Sequence, residues 1–229
     1  MALKCLKKKI RIVIDAGHGG KDSGANGVYS LKEKDITLDI ARRAKAFLKK
    51  DGLNVYLTRN DDKDVSLLER SDFANHLKAD LFVSIHVNSA GISQNANGLE
   101  TYYWGDKNIE KPGARNGFLS FLQNKSNQDS IQLINKYFYE KDLASKNLAS
   151  CIHNGILNFV NERGFQVYDR GLKKDWFRIH LFNDALTALV EVGFLTNPKE
   201  AKHLADYKYR NILAYGISQG VKNYILEKQ

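Results

Sequence analysis

Short apolar runs alternate along this chain with longer stretches in which apolar residues recur at helical spacing. Lys9–Asp15 is a strand-length apolar run that ends in the glycine-rich turn Gly17-His18-Gly19-Gly20. Ile36, Ile40, Ala44, Phe47 and Leu48 then form one stripe, which predicts a helix over 35–50 stopped by Gly52. Leu53–Thr58 reads as a strand, and Ser66-Leu67-Leu68-Glu69 has the form of a capping box opening a helix to about Lys78. Asp80–His86 and Gly98–Trp104 are the next strands. A long helix is expected over 142–162, with Leu143, Leu148, Cys151, Ile152, Ile156 and Phe159 on its apolar face. Phe177–Phe182 and Ala185–Phe194 read as strands. Asn197-Pro198 caps a further helix, and 208–226 closes the chain as an amphipathic one.

Strands alternating with helices predict an α/β fold: a single domain, 1–229, built on a twisted, mostly parallel sheet with helices on both faces. Residues 105–141 break the rhythm. This polar stretch, rich in Asn, Gln and Lys yet containing Phe118–Leu122 and Ile131–Tyr139, is too long for a plain connection and suggests a regulatory insertion or flap.

Composition narrows the function. A length of 229 residues with 43% hydrophobic content suits one globular core, and no apolar run reaches the roughly 18 residues of a membrane span. The lysine-rich start, Lys4 to Lys9, is followed only by a strand-length apolar run, so no signal peptide is expected. A net charge of +9 favours acidic partners, among them anionic cell-wall polymer. Nucleic acid is not expected as a partner, because lysines and aromatics are not interleaved in any stripe. Cys5 and Cys151 show no partner pattern.

The chemistry concentrates at strand ends. His18 follows the first strand and His86, in Ser84-Ile85-His86-Val87-Asn88, ends another. In open α/β sheets ligands collect at the carboxyl ends of strands. A nucleotide cradle fails: Asp22 stands where the dinucleotide fingerprint needs its last glycine, and Asp15 where the Walker pattern needs its first. Two imidazoles suit a catalytic zinc, which takes three protein ligands and leaves one position open. A carboxylate should supply the third, with Glu33 the best candidate, although composition alone does not choose it over Asp22 or Asp35. Glu191 interrupts the apolar run Ala188–Phe194; such a carboxylate must be paired, with Arg170 a candidate mate, or protonated, or sit beside a metal. His76, His153, His180 and His203 lack this context and read as surface or packing residues.

The motifs Asp15-Ala-Gly-His-Gly-Gly-Lys-Asp-Ser-Gly-Ala25, Leu31-Lys-Glu-Lys-Asp-Ile-Thr-Leu38, Thr58-Arg59, Leu68-Glu-Arg70, Ala74-Asn75, Ala79-Asp80, Ser84–Asn88, Gly98–Tyr103 and Val190–Pro198 occur in one order. Together they resemble the zinc-dependent N-acetylmuramoyl-L-alanine amidases of the AmiA/AmiB/AmiC type, the amidase_3 family, from about Ile10 to Ile225 apart from 105–141. The resemblance implies one Zn2+ held by His18, Glu33 and His86, and Glu191 as the catalytic carboxylate. The implied reaction is hydrolysis, by zinc-activated water, of the amide between N-acetylmuramic acid and L-alanine in peptidoglycan, in wall remodelling and daughter-cell separation. It also implies periplasmic or wall-associated action and an activator protein that displaces the 105–141 segment, with Glu140 or Asp129 as the blocking carboxylate. Ser23 and Leu186 stand where the family often has proline. The rival readings are another metal hydrolase with the same ligands, or a wall-binding module without catalysis.

Overall fold

The computed structural model describes residues 9–104, 128–175 and 183–228, with the backbone alone at 104 and 128–138. Its strands are β1 (Arg11–Ala16), β2 (Asn54–Leu57), β3 (Leu81–Asn88), β4 (Leu99–Trp104), β5 (Asp169–Asp175) and β6 (Leu186–Phe194). The α-helices are α1 (Glu33–Lys50), α2 (Leu67–His76), α3 (Gln128–Glu162), α4 (Pro198–Ala205) and α5 (Tyr207–Glu227). The six strands form one sheet in the order β2-β1-β3-β6-β4-β5. Only the β4–β6 pairing is antiparallel, so the sheet is mostly parallel, as the alternation predicts.

Alternation along the strands divides the sheet into two unlike faces. Ile12, Ile14, Val83, Ile85, Leu99, Val190 and Val192 point to one face and join a core with α1, α3 and α5. On the other face α2 covers a small cluster of Val13, Ala74, Phe82 and Ala185. Asp15, Ser84, His86, Glu191 and Glu100 alternate with the first set and therefore share this second face. Helices lie on both faces, unequally.

The local signals hold. The Ser66 side chain accepts from the Glu69 amide while the Glu69 carboxylate accepts from the Ser66 amide, a complete capping box on α2. Asn197 caps α4 with Pro198 in its first turn. Two expectations need correction, and a third lies outside the described residues. The helix expected from Asp142 begins at Gln128, so 128–141 of the expected insertion is helix, while 105–127 lies outside the described residues. Leu143, assigned to the apolar face, is 59% exposed, and Val160 is buried instead of the half-buried Phe159. The strand expected at Phe177–Phe182 falls outside the described residues, whereas β5, which the apolar pattern does not signal, pairs with β4.

A buried polar network turns the end of β1 toward the site. The Asp15 carboxylate accepts from Arg70 Nη1, Thr58 Oγ1 and Ser84 Oγ, each at 2.6 Å. Arg70 also donates to the carbonyls of Ala16 (2.7 Å) and His18 (2.8 Å). Arg59 donates to the carbonyls of Ala16 (3.0 Å), Gly17 (2.9 Å) and Lys34 (2.7 Å), fastening the turn to α1. Burial alone would raise the Asp15 pKa, but Arg70 and the two hydroxyls hold it below its ordinary 3.8.

Two predictions follow from this packing. Gly155, Gly216 and Gly220 let the α3 and α5 backbones touch; a Cβ on Gly220 would come within 2.4 Å of Ile152 Cα. Gly220→Ala gains up to about 1 kcal/mol of helix propensity, but overpacking costs about 1–3 kcal/mol. A net loss of stability is expected in thermal unfolding. Asp15→Asn leaves Arg70 buried without its anion and should cost about 3–5 kcal/mol at pH 7 by denaturant titration. Because the folded pKa of Asp15 is depressed, its contribution is complete above pH 3.8 and fades as pH falls through the folded value. The gap between wild type and Asp15→Asn should therefore narrow in acid.

Candidate metal centre

Three chain segments converge beyond the carboxyl ends of β1 and β3. His18 sits in the turn after β1 with φ 61°, a left-handed backbone that costs about 1–3 kcal/mol for a residue with a side chain. The carbonyls gripped by Arg59 and Arg70 on either side keep it there. Gly17 has to be glycine for a different reason: a Cβ there would lie 2.4 Å from the His86 ring.

Glu33, the first residue of α1 and 4% exposed, joins the two histidines. Its Oε1 lies 2.9 Å from His86 Nδ1 and accepts from the Val87 amide at 2.9 Å. Val87 falls at the bulge that interrupts the β3–β6 register between His86 and Asn88, which leaves its amide for Glu33. The other oxygen, Oε2, lies 3.2 Å from His18 Nε2 and accepts from the Ala25 amide at 2.8 Å. His18 Nδ1 meets Asp22 Oδ2 at 2.7 Å. The two imidazoles stand edge to face with centroids 5.0 Å apart.

Among the described residues, His18, Glu33 and His86 are the group whose ligand atoms could hold a metal, all lying within 4.8 Å of one another. Ligand atoms around a tetrahedral zinc are about 3.3 Å apart for bonds of about 2.0–2.2 Å, close to the 2.9 and 3.2 Å found here. Two nitrogens and one carboxylate, with a hydrogen-bonded carboxylate behind one imidazole, form a donor set that fits zinc. The rival carboxylates stand elsewhere: Asp22 bonds the back of His18, and Asp35 is exposed.

The electrostatics agree with a cation site. Burial opposes protonation of His18, but Glu33 and Asp22 outweigh it and lift its pKa to about 9. His86 is raised against its own burial by Glu33 and Glu191. Glu33 is held far below the carboxylate range by the two imidazoles, which overcome its burial.

Glu191 stands beside His86 in the β3–β6 register and lines the same cleft. Burial pushes its pKa up to about 7, and its Oε2 is buried with no hydrogen-bond partner among the described residues. The pairing with Arg170 is corrected: Arg170 donates from Nε to Glu100 at 2.6 Å. The cleft encloses about 840 Å³ between the histidines and the first turns of α2, where Asp64, Leu67 and Glu69 line it. The other histidines match their assignment where they are described. His76 is exposed, His153 bonds Thr101 and Asp169, and His203 packs on Phe165 and Tyr209. His180 lies outside the described residues. Glu140 is exposed and stands apart from the ligand group.

Sequence reasoning on ligand types alone misses Asp15, Arg59, Arg70 and Glu100. The signal for Asp15, Arg70 and Glu100 was charge at positions where strand alternation or helix burial calls for apolar residues; Arg59, in the turn after β2, carried no such signal.

The family described as N-acetylmuramoyl-L-alanine amidase matches residues 12–223. N-acetylmuramoyl-L-alanine amidase AmiC of Escherichia coli is 30% identical over 229 residues, covering 96% of this chain but 54% of AmiC, so the chain spans about half of that relative. Among solved structures, amidase AmiC2 of Nostoc punctiforme superimposes with a TM-score of 0.74 at 32% identity, covering 96% of this chain and 98% of that one. The CwlD amidase of Clostridioides difficile, solved in complex with the GerS lipoprotein, gives 0.72 at 26% identity over 95% and 99%. With this pattern running through nearly the whole fold, the chain belongs to the N-acetylmuramoyl-L-alanine amidase family.

Proposed function

We propose that this chain is a zinc-dependent hydrolase that cuts the amide between the lactyl group of N-acetylmuramic acid and L-alanine of the peptidoglycan stem, working at the cell wall or in the periplasm during wall remodelling and daughter-cell separation. The family's reaction supplies the substrate class. The observation that carries the reading is the partnerless Glu191 Oε2, buried in the cleft beside the His18–Glu33–His86 group.

His18 Nε2, His86 Nδ1 and the Glu33 carboxylate would hold the ion. When bound, zinc supplies a Lewis acid that polarises the amide carbonyl and acidifies water from pKa 15.7 to about 7. With the ion bound, a hydrogen bond from His18 Nδ1 to Asp22 would hold the ring in the tautomer whose Nε2 is free to ligate. Glu33 is fixed by the Val87 and Ala25 amides, so its oxygens cannot swing away. Glu191 accepts a proton from the attacking water. It then returns that proton to the departing nitrogen as the C–N bond breaks, leaving a muramoyl carboxylate and a free L-alanine amine. Burial equips Glu191 for both halves of this exchange.

The activator belongs to the same reading. Residues 105–141 would cover the cleft until a partner protein displaces them, and support comes from a structural neighbour, CwlD, captured with the GerS lipoprotein. The described part of this segment, from Gln128, continues without a break into α3, so the displaceable portion would end before it.

Digestion of purified wall should release stem peptides beginning with L-alanine and leave the glycan intact. Glu191→Gln should lower the rate about 10²–10⁴-fold while zinc content by elemental analysis stays at the wild-type level. Activity within threefold of wild type would refute the assignment. A wall-binding module without catalysis would instead pellet with wall after chelation and be indifferent to this change. Deleting 112–127 should raise the rate on purified wall severalfold; a folded deletion variant with an unchanged rate would reject the covering role.

A further inference from the structure

The sheet face that carries Glu191 continues past it as a charged floor. Strand register sets His86 of β3 beside Glu191 of β6, and Glu191 opposite Glu100 of β4. One step along, Ser84, Leu189, Tyr102 and Lys173 form a second row across β3, β6, β4 and β5. All lie on the face away from α1, α3 and α5, because Ile85, Val190, Leu99 and Leu172 alternate with them and pack on the main core.

Glu100 is 2% exposed and heavily engaged. Arg170 Nε (2.6 Å), Asn88 Nδ2 (2.6 Å), Tyr102 OH (2.8 Å) and Lys173 Nζ all donate to it. Together Arg170 and Lys173 hold this carboxylate ionised, below the ordinary glutamate range, against its burial. Two cations meet this one buried carboxylate, and Glu200 also lies within electrostatic reach of Arg170. Both cations also reach solvent, with side chains 31% and 34% exposed. The opposite bank of the cleft has the other sign: Asp22, Asp64 and Glu69 line it, and its one arginine, Arg70, is spent on Asp15. The cleft thus has an acidic bank toward α2, while Arg170 and Lys173 lie on β5, two strands beyond Glu191 and outside the residues that line it.

We infer that Arg170 and Lys173 form a carboxylate-binding subsite for the peptide half of the substrate, which sets the direction in which the substrate lies. The inference rests on the amidase reading. In that substrate the muramoyl carboxyl is consumed in the amide, so the glycan side is neutral, whereas the peptide stem carries free carboxylates. The stem therefore runs over β6, β4 and β5, and the sugar sits toward α2. From Glu191 on β6 to β5 is two strand spacings, about 10 Å. An extended peptide covers that in about three residues at 3.3–3.6 Å each. The recognised carboxylate thus belongs to the first three stem residues.

The test compares two soluble muropeptides, identical except that the carboxylates within the first three stem residues are free in one and amidated in the other. The zinc-loaded chain should favour the free-carboxylate form at least tenfold in kcat/KM, mainly through KM, and the preference should shrink as salt rises. Lys173→Gln should cut the preference to threefold or less, and Lys173→Arg should restore it. Arg170→Gln should act the same way; because both cations brace buried Glu100, both melting curves are checked, and Lys173→Gln, the more exposed of the two, decides if Arg170→Gln unfolds. Equal use of both muropeptides by wild type, or a preference that survives Lys173→Gln, would overturn the subsite while leaving the amidase reading standing. Cleavage of neither muropeptide nor purified wall would overturn both.

Discussion

The ion pair between Asp15 and Arg70 is the constraint on which the site depends. A carboxylate at the end of a fully buried strand needs a cation, and Arg70 supplies one from α2. The same guanidinium has donors to spare, and it spends them on the carbonyls of Ala16 and His18. Arg59 takes the intervening carbonyl of Gly17. Three successive carbonyls thus find buried partners outside any strand ladder, so the chain can leave β1 in a left-handed turn at His18. Charge burial and turn geometry are one device here.

The rest of the site inherits its position from that turn. With His18 fixed, Glu33 at the start of α1 reaches both imidazoles, and the β3 bulge at Val87 offers it an amide. Glu191 needs only the sheet register to stand beside His86. Among the described residues nothing satisfies Glu191 Oε2, whereas Asp15 and Glu100, which are more fully buried, have several donors each. That contrast is the support for the catalytic role proposed for Glu191.

Much of this was legible in the chain. Nearly continuous apolar runs mark β1, β3 and β6 because they are covered on at least one side by a deep core, and Ser66, Asn197 and Gly52 punctuate helices through local hydrogen bonding that no tertiary contact overrides. β5 escaped because Asp169-Arg-Gly-Leu-Lys-Lys-Asp175 has almost no apolar residues; it is an edge strand whose charges serve Glu100, Asp142 and His153. The Glu191–Arg170 pairing failed for a related reason: opposite charges can be matched in sequence, but only the register shows that Glu100 lies between them. In the candidate trio, His18 and His86 were legible from their strand ends. Glu33 needed the family resemblance, because a carboxylate at a helix start is common for electrostatic reasons alone.

The most direct test is diffraction from crystals of the zinc-loaded chain, recorded on both sides of the zinc absorption edge. The account predicts a single strong anomalous peak, present only above the edge, bounded by His18 Nε2, His86 Nδ1 and the Glu33 carboxylate, with Glu191 facing it across the cleft. A crystal with no peak there, or with zinc bound elsewhere while these three side chains remain bonded to one another, would contradict it.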